Sequence, residues 1–108
     1  MCCIFCDIKN HIVPVNFLFE NENFFVINDA NPQTNGHCLI ISKNHYEDIH
    51  DLPDFLGKEL ICIIKDQSNR LISEGLADGI KIIQNNGVSA GQTVNHFHVH
   101  IIPYLDTH

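Results

Sequence analysis

Three histidines occupy alternate positions in the stretch NHFHVHII, Asn95 to Ile102. In a strand alternate side chains share a face, so His96, His98 and His100 line one side while Phe97, Val99 and Ile101 line the other. At a rise of ~3.3 Å per residue the outer two stand roughly 13 Å apart, whereas metal–nitrogen bonds are only about 2 Å long. One ion therefore cannot take all three. At most a neighbouring pair shares an ion, and the remaining imidazole is left for other chemistry. With an ordinary pKa of about 6.5, a free imidazole is largely neutral and nucleophilic at pH 7. Three hydrogen-bonded core histidines are the plain alternative, common for one histidine but a poor account of three in strict alternation.

Cys3 and Cys6 form a C-x-x-C pair, a spacing that serves either zinc or thiol redox chemistry. A thioredoxin-like site places the pair at a helix N-terminus after a strand, and here only two residues precede it. A closed zinc site needs two further nitrogen or sulfur ligands, for which His45 and His96 are candidates. Cys3, Cys6, His45 and His96 together would staple the N-terminal turn to two other elements, a useful tie in a small domain. Two small side chains in a short turn are the simpler alternative for the cysteine pair. Five cysteines is an odd number and no secretory signal accompanies them, which argues against a disulfide framework. Cys38 and Cys62 lie in apolar runs and are expected in the core; Cys2 has no assigned place.

The elements that position these groups follow from periodicity. VNFLFE alternates, placing Val15, Phe17 and Phe19 on one face of an expected strand; NEN at 21–23 makes a turn, and FFVIND at 24–29 is the second strand of a hairpin. ANPQTNG is a loop, and HCLIIS at 37–42 is a continuous apolar strand suited to burial on both faces. From Leu52 the period changes: Leu56, Leu60, Ile63, Ile64 and Leu71 define an amphipathic helix reaching about Glu74, with Pro53 and Asp54 in its first turn and Gly75 to end it. GIKIIQNN is a fourth strand, GVSAGQT a small-residue loop, and the histidine run a fifth strand. The expected class is α+β: a five-stranded, mainly antiparallel sheet, one main amphipathic helix and a short N-terminal helix or turn, forming a single domain over residues 1–108.

Composition narrows the function. The 108 residues carry a formal charge of -7, and the cations are only Lys9, Lys43, Lys58, Lys65, Lys81 and Arg70, which argues against gripping a nucleic-acid backbone. No run approaches the roughly 20 apolar residues that span a bilayer, so neither nucleic acid nor membrane is an expected partner and a cytoplasmic location is expected. A single small anion held by amides and imidazoles is compatible with this charge.

Taken together, CIFCDI, NDANPQTNGHCLIISKNH and QNNGVSAGQTVNHFHVHIIP resemble the histidine triad (HIT) nucleotide hydrolases and transferases over nearly the whole chain. The cysteine pair makes the sequence similar to the Hint-like, bacterial-type branch. The resemblance implies a HIT-like fold and a homodimer joining two five-stranded sheets through the helix and a buried fourth strand. It also implies cleavage at the α-phosphate of a purine nucleoside phosphoramidate or dinucleoside polyphosphate. His98 would be the nucleophile, forming a nucleotidyl-histidine, with His100 and Thr93 as its catalytic helpers on the phosphate oxygens. Gly91, Gln92 and Asn85 would lie on the phosphate side, Asp29 would accept from the ribose hydroxyls, and Ala30 would lie near the sugar or base. Asp29 and Asn85 are otherwise ordinary turn formers and Thr93 an ordinary strand residue.

By the same resemblance Cys3, Cys6, His45 and His96 would hold a structural zinc, and His37 would belong to a hydrogen-bond network behind the triad. His11, His50 and His108 are expected at the surface. Ser42 stands where relatives often have proline and Tyr104 where an arginine is frequent. The chain ends at His108, short of the longer tail of eukaryotic Hint members, so the resemblance implies substrate preference least. Two rival classes are a nucleotide-binding regulatory module with incidental turnover and a protein whose histidines carry a catalytic or transported metal.

Overall fold

The computed structural model describes residues 3–106; Cys2 and His108 lie outside them. Five strands form one antiparallel sheet: β1 (Phe19–Glu20), β2 (Phe24–Asn28), β3 (Cys38–Ser42), β4 (Gly79–Ile83) and β5 (His98–Tyr104), in the order β1-β2-β3-β5-β4. α1 (Ile4–Lys9) precedes the sheet, and α2 (Gly57–Ser73) follows β3 behind a 3-10 turn at Asp54–Leu56. The α+β class and five-stranded sheet with one main helix are as the periodicity predicts.

α2 packs on one face of the sheet. Its Leu60, Ile63 and Leu71, with Leu56 just ahead, meet Phe24, Val26, Cys38, Ile40, Phe97, Val99 and Ile101. The opposite face carries Phe25, Ile27, Leu39 and Ile41, covered by Phe5 and Ile8 of α1. α1 is six residues long, too short to hold as an isolated helix, so these two core anchors are what keep it in place. β3 is buried throughout and sits between β2 and β5, with Ile41 opposite His98 and Leu39 opposite His100. The register sends His98 and His100 to the α1 face while Val99 and Ile101 enter the α2 core, as alternation requires.

Several expectations need correction. β1 is only Phe19–Glu20, and Val15 and Phe17 precede it. Phe17 packs with the α1-side core and Phe19 with the α2-side core, so the two do not share a face. The turn at 21–23 is set by Asn21, whose Oδ1 accepts from the backbone N–H groups of Asn23 and Phe24 at 3.0 and 2.8 Å. Cys62 is exposed, not core: at 100° per residue the run ICII cannot turn every side chain inward, and Ile63 takes the core position. β4 is an edge strand with Ile82 51% exposed in the single chain, so the burial expected for it would have to come from a second copy. Among the described residues no helix is long and apolar enough to cross a membrane.

Candidate active site and metal centre

His98 is 7% exposed, and its Nδ1 lies 2.7 Å from the carbonyl oxygen of His96. A carbonyl only accepts, so Nδ1 carries the proton and the Nε2 lone pair is left free. Phe5 packs edge-on against both the His96 and His98 rings, at 5.6 and 5.1 Å between centroids, fixing their planes.

His100 has the opposite tautomer. The backbone N–H of Gln33 donates to His37 Nδ1 at 3.0 Å, which leaves the His37 proton on Nε2. That Nε2 lies 3.0 Å from His100 Nδ1 and 3.3 Å from Asp29 Oδ2, so His37 donates and His100 Nδ1 accepts. The proton of neutral His100 is therefore on Nε2, available to an anion. Burial lowers the pKa of His37 and of His100, with neighbouring His98 and His37 adding to the depression at His100 and Asp29 opposing it at both. Neighbouring imidazoles thus offer different atoms: a lone pair at His98 and an N–H at His100.

Cys3, Cys6, His45 and His96 converge, their ligand atoms all within 4.8 Å of one another. His96 Nδ1 lies 3.3 Å from Cys3 Sγ, 3.6 Å from Cys6 Sγ and 3.0 Å from His45 Nδ1, and Cys6 Sγ lies 3.3 Å from His45 Nδ1. A tetrahedron on bonds of about 2.0–2.3 Å has edges of roughly 3.3–3.8 Å, close to these separations. His96 Nε2 donates to the Ser42 carbonyl at 2.7 Å, so its Nδ1 lone pair faces the cluster. Burial pushes the His96 pKa down to about 4, keeping the ring neutral as a ligand must be. The residues fit a tetrahedral ion.

Asp29, His37 and His100 form a second close group of potential ligands. The Gln33 amide separates the two cases: it holds the His37 proton on Nε2, the atom that faces this group, so this cluster is built for hydrogen bonding.

The remaining expected residues surround the strand. Gly91 has φ +96°, the left-handed region that favours glycine, and a Cβ there would meet the Asn85 amide at 3.6 Å. Thr93 is exposed, and Ala30 is exposed beside Asp29. Gln92 is buried and its side chain is committed to the backbone: Oε1 accepts from Gly87 N–H at 2.7 Å, and Nε2 donates to the carbonyls of Glu47 and Val94 at 2.6 and 3.1 Å. It organises the loop, with both amide protons already engaged. Two clefts lie at the ends of the triad. One of about 500 Å³ is lined by His45, Glu47, Thr93 and Asn95; the other, of about 730 Å³, by Asn28, Asp29, His37 and Arg70. His98 is set between them and lines neither. Tyr104 ends β5, with Lys81 Nζ 5.2 Å from its ring. His11 and His50 are exposed, as expected.

Three contributors escape sequence reasoning. The carbonyls of His96 and Ser42 and the amide of Gln33 are backbone groups, which residue identity does not encode. Phe5 carried a signal, an aromatic between the two cysteines, but nothing in the sequence says which rings it meets.

A HIT domain family model matches residues 10–106. An uncharacterised HIT-like protein of Methanocaldococcus jannaschii is 42% identical over 94% of this chain and 78% of its own length. The adenosine 5'-monophosphoramidase of Saccharomyces cerevisiae is 38% identical over 96% of this chain, which spans 63% of that protein. A zinc-bound histidine triad family protein of Mycobacterium smegmatis superposes with TM-score 0.91 at 34% identity, over 97% of this chain and 76% of that one.

Proposed function

This chain belongs to the HIT family, and from that premise we propose that it is a nucleotide hydrolase or nucleotidyl transferase. It cleaves at the α-phosphate of a purine nucleoside phosphoramidate or dinucleoside polyphosphate. The observation that carries the reading is the pair of opposed tautomers on β5. His98 Nε2 presents a lone pair to phosphorus, and His100 Nε2 presents a proton to a phosphate oxygen. As the bond from Nε2 to phosphorus forms, the bond to the leaving group breaks, the group departs with a proton taken from solvent, and the His98 ring becomes a cation. Its Nδ1–H already points at the His96 carbonyl, a fixed dipole that stabilises the charge without reorganisation. Water or another acceptor then displaces His98 from phosphorus and restores the neutral ring.

Asp29 accepts from the ribose hydroxyls with Ala30 beside the sugar. Thr93 and the loop at Gly91 and Asn85 hold the phosphate side, and Gln92 holds that loop. The yeast relative named for phosphoramidase activity supports the reaction class. Cys3, Cys6, His45 and His96 hold a zinc ion, which supplies structural cross-linking; the zinc-bound mycobacterial relative supports the choice of metal. A homodimer in the cytoplasm completes the reading. With adenosine 5'-phosphoramidate as substrate, His98→Ala is expected to lower kcat by roughly 10³-fold or more. Turnover at the wild-type rate would remove His98 from the mechanism.

A further inference from the structure

The cleft at the His96 end of the triad holds one carboxylate, that of Glu47, and none of its lining residues is a lysine or arginine. Thr93 lines the same cleft, so a substrate whose α-phosphate meets Thr93 and whose ribose meets Asp29 on the far side extends its leaving group into this space. The Glu47 backbone is held from both sides: its carbonyl accepts from Gln92 Nε2 at 2.6 Å and its N–H donates to Asp51 Oδ2 at 3.1 Å. Gln92 is itself buried in the phosphate-side loop, so Glu47 is tied to the segment that carries Thr93. Its carboxylate makes no hydrogen bond or ion pair among the described residues and emerges from this fixed point. Loading the Cys3, Cys6, His45 and His96 cluster with a divalent ion adds two positive charges and, with both thiols ionised, two negative ones. Lys9 and Asp7, of opposite sign, both act on Cys6 from outside the lining, so the formal charge of the cleft remains that of Glu47.

We propose that Glu47 is a specificity-determining residue that selects substrates by the charge of the leaving group, favouring amines that bear a further cation and opposing anionic ones such as polyphosphate chains. The proposal rests on the α-phosphate reading given above. A carboxylate a few ångströms from a solvent-facing charge changes affinity by several-fold, and reversing the sign of that charge doubles the effect in free energy, giving about tenfold discrimination.

The test uses three adenosine phosphoramidates with leaving amines of equal length ending in an ammonium, an amide or a carboxylate. Each kcat/KM is divided by that of the amide compound, so that a general loss of activity cancels. Wild type is expected to prefer ammonium over carboxylate by about tenfold, Glu47→Gln to bring the ratio near one, and Glu47→Lys to invert it. The same charge order is expected in calorimetric binding of the three compounds to His98→Ala, which does not depend on turnover. Absence of turnover in wild type with the charge order of binding intact counts against the α-phosphate chemistry and supports the role of Glu47. Ratios that do not move in Glu47→Gln and Glu47→Lys, or binding without charge order, overturn the role of Glu47.

Discussion

A single backbone carbonyl separates His98 from an ordinary strand histidine, and a single backbone amide does the same for His100 two steps away. The His96 carbonyl sets one tautomer, and the Gln33 amide, acting through His37, sets the other. His37 is buried behind His100 and acts through it, as a positioning residue. His37→Ala frees His100 to place its proton on Nδ1, so kcat is expected to fall by roughly 10- to 100-fold with KM little changed. Nitrogen chemical shifts of the His100 ring, which a merely structural role would not move, are expected to change from the Nε2–H to a mixed tautomer pattern. An unchanged tautomer in that variant would contradict the relay. At this scale the sequence shows which residue types stand at 96, 98 and 100, and their alternation is enough to exclude one shared ion. It is silent on protons, because the groups that place them belong to the backbone.

At the scale of elements, the Cys3, Cys6, His45 and His96 cluster joins α1, the segment after β3 and the approach to β5. α1 has only Phe5 and Ile8 as core anchors, so the cluster is the other tie that keeps it on the sheet. Removing metal by chelation, or making Cys6→Ser, is expected to lower the thermal midpoint by roughly 10 °C or more, since each 1 kcal/mol shifts a domain of this size by about 4–8 °C. An unchanged midpoint with metal content measured before and after would contradict a structural ion. In the metal-free chain His96, His37 and His100 are held neutral by burial, with folded pKa values below the unfolded value of about 6.5. The unfolded chain then binds more protons below that pH, so stability is full above about 6.5 and is lost as pH falls toward 4. His96 alone contributes a loss of up to about 3 kcal/mol, read from urea unfolding in chelator across that window. Stability that stays flat from pH 7 to 4.5 would contradict it. The cluster was legible because the C-x-x-C spacing of Cys3 and Cys6 calls for two further nitrogen or sulfur ligands, which His45 and His96 could supply. The extent of β1 and the exposure of Cys62 were not, since alternation and apolar runs report composition, whereas which face meets a partner element is settled by packing.

For the whole molecule, the sheet ends in an edge strand whose Ile82 is half exposed, and Ile61 and Ile72 of α2 are likewise 56% and 50% exposed. An apolar edge of this kind invites pairing with a second copy, which is the physical ground for the proposed dimer. Light scattering on the purified protein is expected to give twice the chain mass, and Ile82→Lys to shift it toward the monomer. A monomer in wild type at micromolar concentration would contradict the dimer. The sequence signalled this surface as an apolar strand and the family resemblance as part of a dimer interface, whereas periodicity alone cannot tell a strand buried in its own chain from one covered by another. The most direct test of the whole account is a denaturing quench during turnover of adenosine phosphoramidate, followed by peptide mass mapping. An adenylyl group is expected on the peptide containing His98, and its loss in His98→Ala. Adenylylation at another residue, or turnover with no trapped intermediate under single-turnover conditions that resolve one, would contradict it.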